Sequence, residues 1–316
     1  MSRILASADF RRTVAIIAVA AFLLAFAPLV AGPFVLHVLT VSLYYVILAA
    51  SWNLLAGYTG QFSLAHHVFA AIGAYTSGLL GYHLDAPIWL SIPAGVLLAA
   101  IMGCVLGMLV LRMRAIYLAI ATWAFAETVH IFLTAAYDFT RGELGLNMKS
   151  LFGTLDPQPF YFTFLALTAV SLILMRAVIE SPMGFFMRAI KDDELRARSL
   201  GIDTTRVKVI VFTLSSAIAG LAGAFNGYYI KVLSPQIADF SEMARLVIMV
   251  VIGGLGSFLG PVIGAAPVQI VMTWLQKYGE WNLALFALIV ILLMRFSVGG
   301  LASHVEGVWR RVTKAT

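Results

Sequence analysis

Charged residues are the scarcest feature of this chain. Asp, Glu, Lys and Arg make up 11% of its 316 residues, whereas a soluble domain carries about 25%. Hydrophobic residues make up 61%, and the mean hydropathy is +0.96. Because so few charges cannot cover a surface in water, we expect the outer surface to face lipid. Backbone polarity then favours an all-α, polytopic bundle of membrane-spanning helices.

Several chemical signatures are also missing from the sequence. Cys104 is the single cysteine, which excludes an intrachain disulfide. There is no G-x-x-x-x-G-K-[ST] motif and not even a Gly-Lys dipeptide, so no P-loop is available to bind phosphates. We find no paired acids or nucleophile motif near one face, and His66 and His67 have no Cys, Asp or Glu nearby in sequence to complete a metal site. We therefore expect a protein that is not an enzyme and has no metal ion or cofactor.

Ten apolar segments are predicted to cross the membrane, since a helix needs about 20 residues to do so. They are residues 14–31, 34–56, 68–82, 88–111, 115–137, 160–179, 207–230, 243–254, 258–276 and 282–297. The segment 68–82 is short, and glycines divide the apolar region 243–276. The pieces between spans are too short to fold alone, so residues 1–316 are predicted to form a single transmembrane domain.

Basic residues are placed unevenly between the predicted spans. With the amino terminus inside, 16 of the 21 Lys and Arg residues fall on the cytoplasmic side, in residues 1–13, 112–114, 176–208 and 295–316. Cytoplasmic loops collect positive charge in this way. Both termini are therefore predicted to be cytoplasmic, in a multi-pass protein of the inner (plasma) membrane. The net charge of +6 then indicates contact with anionic headgroups and a cytoplasmic protein, rather than with nucleic acid.

Two glycine-rich interruptions, 57–75 and 253–266, join adjacent spans in opposite halves of the chain. Such interruptions at corresponding positions are typical of a transporter's internal repeat and pathway, but small residues also allow close helix packing. Both interpretations are open from the residues alone. The candidate pathway residues in these segments are Gly60, Ser63, His66, Gly254 and Gly256. Asn53 and Gln61 could instead hydrogen-bond across helices.

An ionisable residue lies inside one predicted span. Glu127 is near the middle of residues 115–137, and His130 follows three residues later on the same helical face. An ionised side chain in a membrane is costly and usually has a role, which makes both residues candidates for a pathway or gate. Alternatively, Glu127 is part of a hydrogen bond that holds two helices together.

Residues 181–203, here called the charged segment, interrupt the apolar sequence with SPMGFFMRAIKDDELRARSLGID. Ser181 and Pro182 are typical of a helix start and Gly201 of a helix end, which predicts one amphipathic helix between them. The apolar side chains expected near one face of it are Met183, Met187, Ile190, Ala197 and Leu200. One interpretation is a linker lying on headgroups. The acidic run 192–194 would be repelled by anionic lipid, which favours docking to a protein.

The charged segment is also one of several motifs that resemble a known family. RAIKDDELRARSLGID is followed by FTLSSAIAGLAGAF, SPQ and VIGGLGSFLGPVIGA. Together these are similar to the second half of branched-chain amino acid ABC importer permeases, above all the M-type partner of the two-permease pair. The first half agrees through NLLAGYTGQFSLAHHVFAAIGAYTSGLL and YLAIATWAFAETVH. The resemblance covers about residues 50–270, in order and at compatible spacing.

The resemblance implies an ATP-driven importer of which this chain is the membrane subunit. The helix 182–201 would be the coupling helix, seated in a groove of a separate ATPase. The residues implied at that contact are Arg188, Asp193, Glu194, Arg198 and Gly201. The implied partners are two ABC ATPase subunits, a second homologous permease subunit and a periplasmic solute-binding protein, with membrane lipid around the spans.

Two positions depart from the family pattern. Arg141 in TRGELGL replaces a small residue of the large outer loop, and His66-His67 replaces a His-Ala pair. Since related permeases also carry urea and aromatic acids, the resemblance leaves the solute open. The alternative function is a stand-alone proton-coupled secondary transporter or channel that uses Glu127 and His130. Such a carrier needs no ATPase dock, so the charged segment separates the two hypotheses.

Overall fold

A computed structural model describes residues 8–110, 113, 115–153 and 156–279, with isolated positions at 281, 285, 287 and 288. The helices in chain order are α1 (Ala8–Ala25), α2 (Ala27–Val30), α3 (Pro33–Thr59), α4 (His66–His83), α5 (Ile88–Val110), α6 (Ala115–Ala135), α7 (Tyr137–Thr140), α8 (Pro157–Glu180), α9 (Pro182–Asp192), α10 (Glu194–Ser199), α11 (Thr204–Ile230), α12 (Phe240–Gly253) and α13 (Gly260–Leu275). Single 3-10 turns lie at Gly142–Leu144, Pro235–Ala238 and Gln276–Tyr278. Strands β1 (Leu146–Asn147) and β2 (Val232–Leu233) pair antiparallel, with Leu146 opposite Leu233.

The all-α, polytopic prediction is confirmed. Within the described residues, six helical segments are long and apolar enough to cross a membrane: Asp9–Val30, α3, α5, α6, α8 and α11. The predicted span 68–82 is the helix α4, which has 18 residues. The predicted tenth span, 282–297, lies almost entirely outside the described residues.

The centre of the bundle is formed by α3, α4, α5 and α11. Phe69 of α4 packs edge to face on Phe212 of α11, with ring centroids 5.8 Å apart. The backbones themselves approach closely, because a Cβ at Gly73 would lie 2.1 Å from Gly220 O. These small residues let the helices pack without a gap, as interfaces between membrane helices require.

The predicted span 243–254 is a half-span in the structure. Helix α12 has 14 residues, or about 21 Å at about 1.5 Å per residue, whereas the hydrocarbon core is about 30 Å thick. Its first turn lies at mid-depth, because Tyr45, the thirteenth of the 27 residues of α3, donates a 2.6 Å hydrogen bond to Glu242 Oε2. The chain reaches this depth through residues 231–239, which contain only β2 and one 3-10 turn.

The non-helical segment 231–239 lies against protein rather than lipid. His67 Nε2 lies 3.1 Å from Ala238 O, and the His67 side chain is buried. His130 Nδ1 lies 3.2 Å from Pro235 O. Irregular backbone at membrane depth is tolerated only where protein or a water-filled cavity surrounds it, and the side chains of α4 and α6 meet that condition here.

Candidate functional site

The charged segment folds as two helices, so the prediction of one continuous helix from Pro182 to Gly201 is wrong. Asp193 takes an extended conformation (φ −160°, ψ 104°) and its Oδ1 accepts a 3.0 Å hydrogen bond from Arg196 N. An aspartate that caps a following turn competes with continuation of the preceding helix. The predicted start is confirmed, because Ser181 Oγ accepts from Met183 N at 3.2 Å.

Ion pairs hold the charged segment against the start of α11. Glu194 Oε2 lies 2.7 Å from Lys208 Nζ, and the Lys208 side chain is only 9% exposed. Arg198 Nη2 lies 3.4 Å from Glu194 Oε1 and 3.2 Å from Thr204 Oγ1. Glu194 and Arg198 therefore fix the position of α10, while their side chains remain 39% and 61% exposed.

The apolar side chains of the charged segment divide into two sets. Met187, Ile190 and Ala197 are buried against the bundle, as their predicted common face requires. Leu200, predicted on the same face, is 82% exposed instead, because α10 ends at Ser199 and the chain turns away. Leu195 and Phe185 are 75% and 64% exposed. The segment thus presents large apolar side chains that no other part of the described chain covers.

The remaining predicted contact residues are at the surface of this segment. Arg188 is exposed on α9. Gly201 has a φ of +86°, which is the left-handed conformation expected of a helix end. Asp203 Oδ1 then accepts from Arg206 N at 3.0 Å and caps α11.

The first glycine-rich interruption has its non-helical part at residues 60–65, here called the first break. Its backbone is held by side chains of two helices: Trp52 Nε1 donates to Ser63 O at 2.8 Å, and Leu64 N donates to Thr122 Oγ1 at 2.9 Å. Ser63 is fully buried. A side chain this deeply buried does not line an open cavity.

His66, at the end of the first break, is also fully buried. Its Nε2 lies 2.8 Å from Ser51 Oγ, and Ser215 Oγ donates to the carbonyl of Ser51 at 2.6 Å. These contacts join α3, α4 and α11. In the structure His66 thus connects three helices of the bundle centre.

The second interruption has its non-helical part at residues 254–259, here called the second break. Asn53 holds it from both sides, because Gly256 N donates to Asn53 Oδ1 and Asn53 Nδ2 donates to Ser257 O, each at 2.8 Å. Gly57 lies directly beside this contact, where a Cβ would be 2.7 Å from Gly256 N. Asn53 thus bonds from α3 to the segment between α12 and α13, as expected, and the two breaks meet at the end of α3. The same expectation is wrong for Gln61, whose buried side-chain amide has no hydrogen-bond partner among the described residues.

Helix α6 lies at the edge of the bundle, because only 22% of the residues in its most apolar stretch are buried. Trp123 is 44% exposed and Glu127 is partly exposed. His130 contacts the Pro235 carbonyl, whereas Glu127 makes no hydrogen bond or ion pair with any residue that the structure describes. The predicted pathway residues therefore occupy three places: Gly60, Gly254 and Gly256 at the breaks, Ser63 and His66 in the core, and Glu127 and His130 on α6.

Two cavities of the described chain have linings that include no predicted pathway residue. A cavity of about 210 Å³ is lined by apolar side chains of α1, α3, α8 and α13, including Ile16, Leu39 and Leu165. A second cavity, of about 260 Å³, includes Tyr82, Lys149 and Tyr228 at the end of the bundle that carries the β1–β2 pair. Among the described residues, no group of three His, Cys, Asp or Glu side chains could hold a metal ion.

Some residues of the site could not be assigned from the sequence. Lys208 looks like an ordinary flanking lysine of a span, and only the fold shows that it pairs with Glu194. Trp52 adjoins Asn53 in an apolar run, and the sequence does not show that the two hold different breaks. Of these residues, only Asn53 stands out in the sequence, because it is a polar side chain inside a predicted span.

Comparison with known proteins identifies the family. Residues 34–298 match the family described as the branched-chain amino acid transport system / permease component. The chain is 30% identical, over 86% of its length and 72% of the relative, to the high-affinity branched-chain amino acid transport system permease protein LivM of Salmonella typhimurium. It is 26% identical to the corresponding LivH protein of Escherichia coli K12, over 81% of this chain and 90% of that one. No solved structure gives a significant match. The chain therefore belongs to the family of permease components of branched-chain amino acid transport systems.

Proposed function

We propose that the chain is the transmembrane permease subunit of an ATP-binding cassette importer. It would move branched-chain amino acids, or a related small polar solute, into the cytoplasm. The family and the names of its relatives support this reading. The structural observation that carries it is the charged segment, because its backbone is fixed by ion pairs while its large apolar side chains stay uncovered.

The charged segment is proposed as the dock for the ATPase subunits, on the cytoplasmic side. Exposed apolar side chains grouped on a water-facing segment mark a protein contact, and here they are Phe185, Leu195 and Leu200. Arg188, which is exposed nearby, would lie at the rim of that contact. Glu194 and Arg198 would contribute mainly by keeping α10 in place, rather than by contacting the ATPase themselves. The ion pair with Lys208 would then pass a movement of the dock to α11.

A second permease subunit is proposed to cover α6. Glu127 is partly exposed on a helix that is otherwise apolar, and it has no partner in the described chain. An ionisable side chain inside a membrane faces a protein or a water-filled cavity rather than lipid. A subunit placed against α6 would supply that partner. The solute pathway would then pass near Glu127 and His130.

The breaks would form the wall and the inner end of that pathway. Gly60, Gly254 and Gly256 take positive φ values and lie where the two breaks meet. Ser63 and His66, which are buried in the core, would stabilise the position of this wall. A periplasmic solute-binding protein is proposed to deliver the solute at the opposite end. There Arg141 lies 3.4 Å from Tyr82 Oη.

The proton-coupled alternative has less support. A relay requires groups within hydrogen-bond reach of one another, and no hydrogen bond joins Glu127 to His130 in the described chain. His130 instead contacts the carbonyl of Pro235. We therefore assign both residues to the subunit contact and pathway of the importer.

The proposal is tested by purifying the tagged chain from its native membrane in mild detergent and identifying the proteins that accompany it. Two ATPase subunits and a second permease are expected. Leu195→Asp together with Leu200→Asp should release the ATPases, because it places charge in an apolar contact. Leu84→Asp with Leu144→Asp, at exposed leucines of the opposite end, is the matched control. A wild-type chain that purifies alone would contradict the proposal.

A further inference from the structure

One basic residue of the charged segment reaches into the junction of the two breaks. Lys191, in the last turn of α9, donates a 2.6 Å hydrogen bond from Nζ to the carbonyl of Gly57. The last carbonyls of a helix have no partner within the helix, and Gly57 is in the last turn of α3. The amide of Gln61, which would complete the next turn, lies 3.4 Å from Leu55 O instead. Lys191 therefore supplies the missing donor at the end of α3.

The charge of Lys191 suits this position. The carboxyl end of a helix carries a partial negative charge, so a cation placed there is stabilising. The aliphatic stem of the lysine lies against Gly60, because a Cβ at Gly60 would be 3.6 Å from Lys191 Cγ. Gly60 has a φ of +73°, which glycine adopts without a steric penalty.

The same ammonium group also lies beside the second break. A Cβ at Gly256 would lie 3.0 Å from Lys191 Nζ and 3.0 Å from Gly57 O. Asn53, one turn before Gly57, binds Gly256 and Ser257. One lysine thus joins the charged segment to the first break, and through Gly57 and Asn53 to the second.

We propose that Lys191 is a positioning residue that makes the charged segment and both breaks move as one unit. The inference rests on the proposed function, since the movement comes from the ATPases docked on Phe185, Leu195 and Leu200. Glu194 and Lys208 connect the dock to α11, whereas Lys191 connects it to the end of α3. Loss of Lys191 leaves the dock in place and disconnects it from the breaks.

The test measures leucine uptake and ATP hydrolysis in the same proteoliposomes, using the complex that purifies with the chain and its solute-binding protein. Lys191→Met keeps the aliphatic stem and removes the donor. It should retain the ATPase subunits while the leucine taken up per ATP falls by about tenfold, as expected for loss of a hydrogen bond to a charged group. Lys191→Arg should restore most of the ratio. Arg12→Met, at an exposed arginine of α1, should leave it unchanged.

An unchanged ratio in Lys191→Met, or no recovery in Lys191→Arg, would overturn the inference. Release of the ATPases by Lys191→Met would also overturn it, because the lysine would then belong to the dock. These results differ from failure of the proposed function, in which the wild-type chain itself binds no ATPase.

A disulfide tests the junction independently of the ATPases. The Cβ position at Gly60 lies 3.9 Å from Lys191 Cβ, within the range that a disulfide spans. Gly60→Cys with Lys191→Cys, in a Cys104→Ser background, should crosslink within one chain in membranes. The oxidised complex should keep a higher uptake per ATP than the reduced one, with Gly60→Cys alone as the control for backbone strain. Failure to crosslink, or an oxidised complex less active than the reduced one, would contradict the inference.

Discussion

The two glycine-rich breaks look alike in sequence and are held differently in the structure. The first break, residues 60–65, has Gln61, Ser63 and Ala65 buried while Phe62 is 37% exposed, and its backbone is bound by Trp52 and Thr122 from two helices. The second break, residues 254–259, lies nearer the surface, with Leu255 45% exposed, and Asn53 binds it on both sides. Similar glycine patterns therefore produce a first break held by side chains of α3 and α6 and a second break held on both sides by one side chain of α3, Asn53.

Helix α3 accounts for this difference. Trp52 and Asn53 are neighbours in sequence, so their side chains point about 100° apart around the helix. Trp52 reaches the first break and Asn53 the second. A movement at the end of α3 therefore acts on both breaks, on the first through Trp52 and on the second through Asn53.

The largest effect is expected from Gly57→Ala, where the two breaks meet. The added Cβ would lie 2.1 Å from Asn53 Oδ1 and 2.7 Å from Gly256 N, and the second of these is backbone that cannot rotate away. Overpacking of this kind costs about 1–3 kcal/mol or more. We expect loss of uptake and a lower melting temperature in detergent. Gly32→Ala, with no atom within 4 Å of its Cβ, is the control, and equal behaviour of the two variants would contradict a close contact.

Asn53→Ala should have the next largest effect, and only on the second break. It removes both hydrogen bonds to residues 254–259, and a lost bond of a buried group costs about 1–3 kcal/mol. Hydrogen exchange of the amides in 254–259 should accelerate, while that of 60–65 stays as in the wild type. Asn147→Ala, at an exposed position of β1, serves as the control. Equal acceleration in both breaks would show that they are not held separately.

Thr122→Val is the corresponding change at the first break. It keeps the shape of the side chain and removes the acceptor of Leu64 N. Since Trp52 still binds Ser63 O, we expect a smaller loss of stability, about 1 kcal/mol. Amide exchange at Leu64 should rise and exchange in 254–259 should not. Faster exchange across the whole of 60–65 would mean that Trp52 contributes little.

Glu127→Gln should have the smallest effect. Glu127 lies outside both breaks and binds no residue of the described chain, and glutamine can still hydrogen-bond to a neighbouring subunit. Uptake should therefore remain substantial in an assembled complex. Complete loss of uptake with normal assembly would contradict this expectation, and would show that transport requires the carboxylate of Glu127 rather than a hydrogen-bonding side chain at that position.

The sequence predicts much of this fold because membrane helices carry a strong local signal. Nine of the ten predicted segments coincide with helices of the described chain, with shifted boundaries: α1, α3, α4, α5, α6, α8, α11, α12 and α13. The caps at Ser181 and Asp203 lie where their side chains indicate. The half-span α12 could not be inferred, since Phe240–Gly253 is apolar like its neighbours and its depth is set by Tyr45. The sequence does not predict the split at Asp193, because it does not show which of three consecutive acidic residues caps α10.

The candidate site is predicted less completely, for a physical reason. Burial of Ser63 and His66, and the pairing of Glu194 with Lys208, depend on contacts between residues far apart in sequence. Periodicity and motifs carry no information on such contacts. Lys191 shows this well, since it is one of several basic residues in the charged segment, and only its distance to Gly57 distinguishes it.

The most direct test of the importer assignment is uptake by reconstituted vesicles that contain either the purified complex, with its solute-binding protein added, or this chain alone. We predict leucine uptake by the complex with ATP, no uptake when a non-hydrolysable ATP analogue replaces it, and no uptake by the chain alone under a proton gradient. Uptake by the chain alone, driven by the proton gradient, would contradict the assignment and favour a carrier that uses Glu127 and His130.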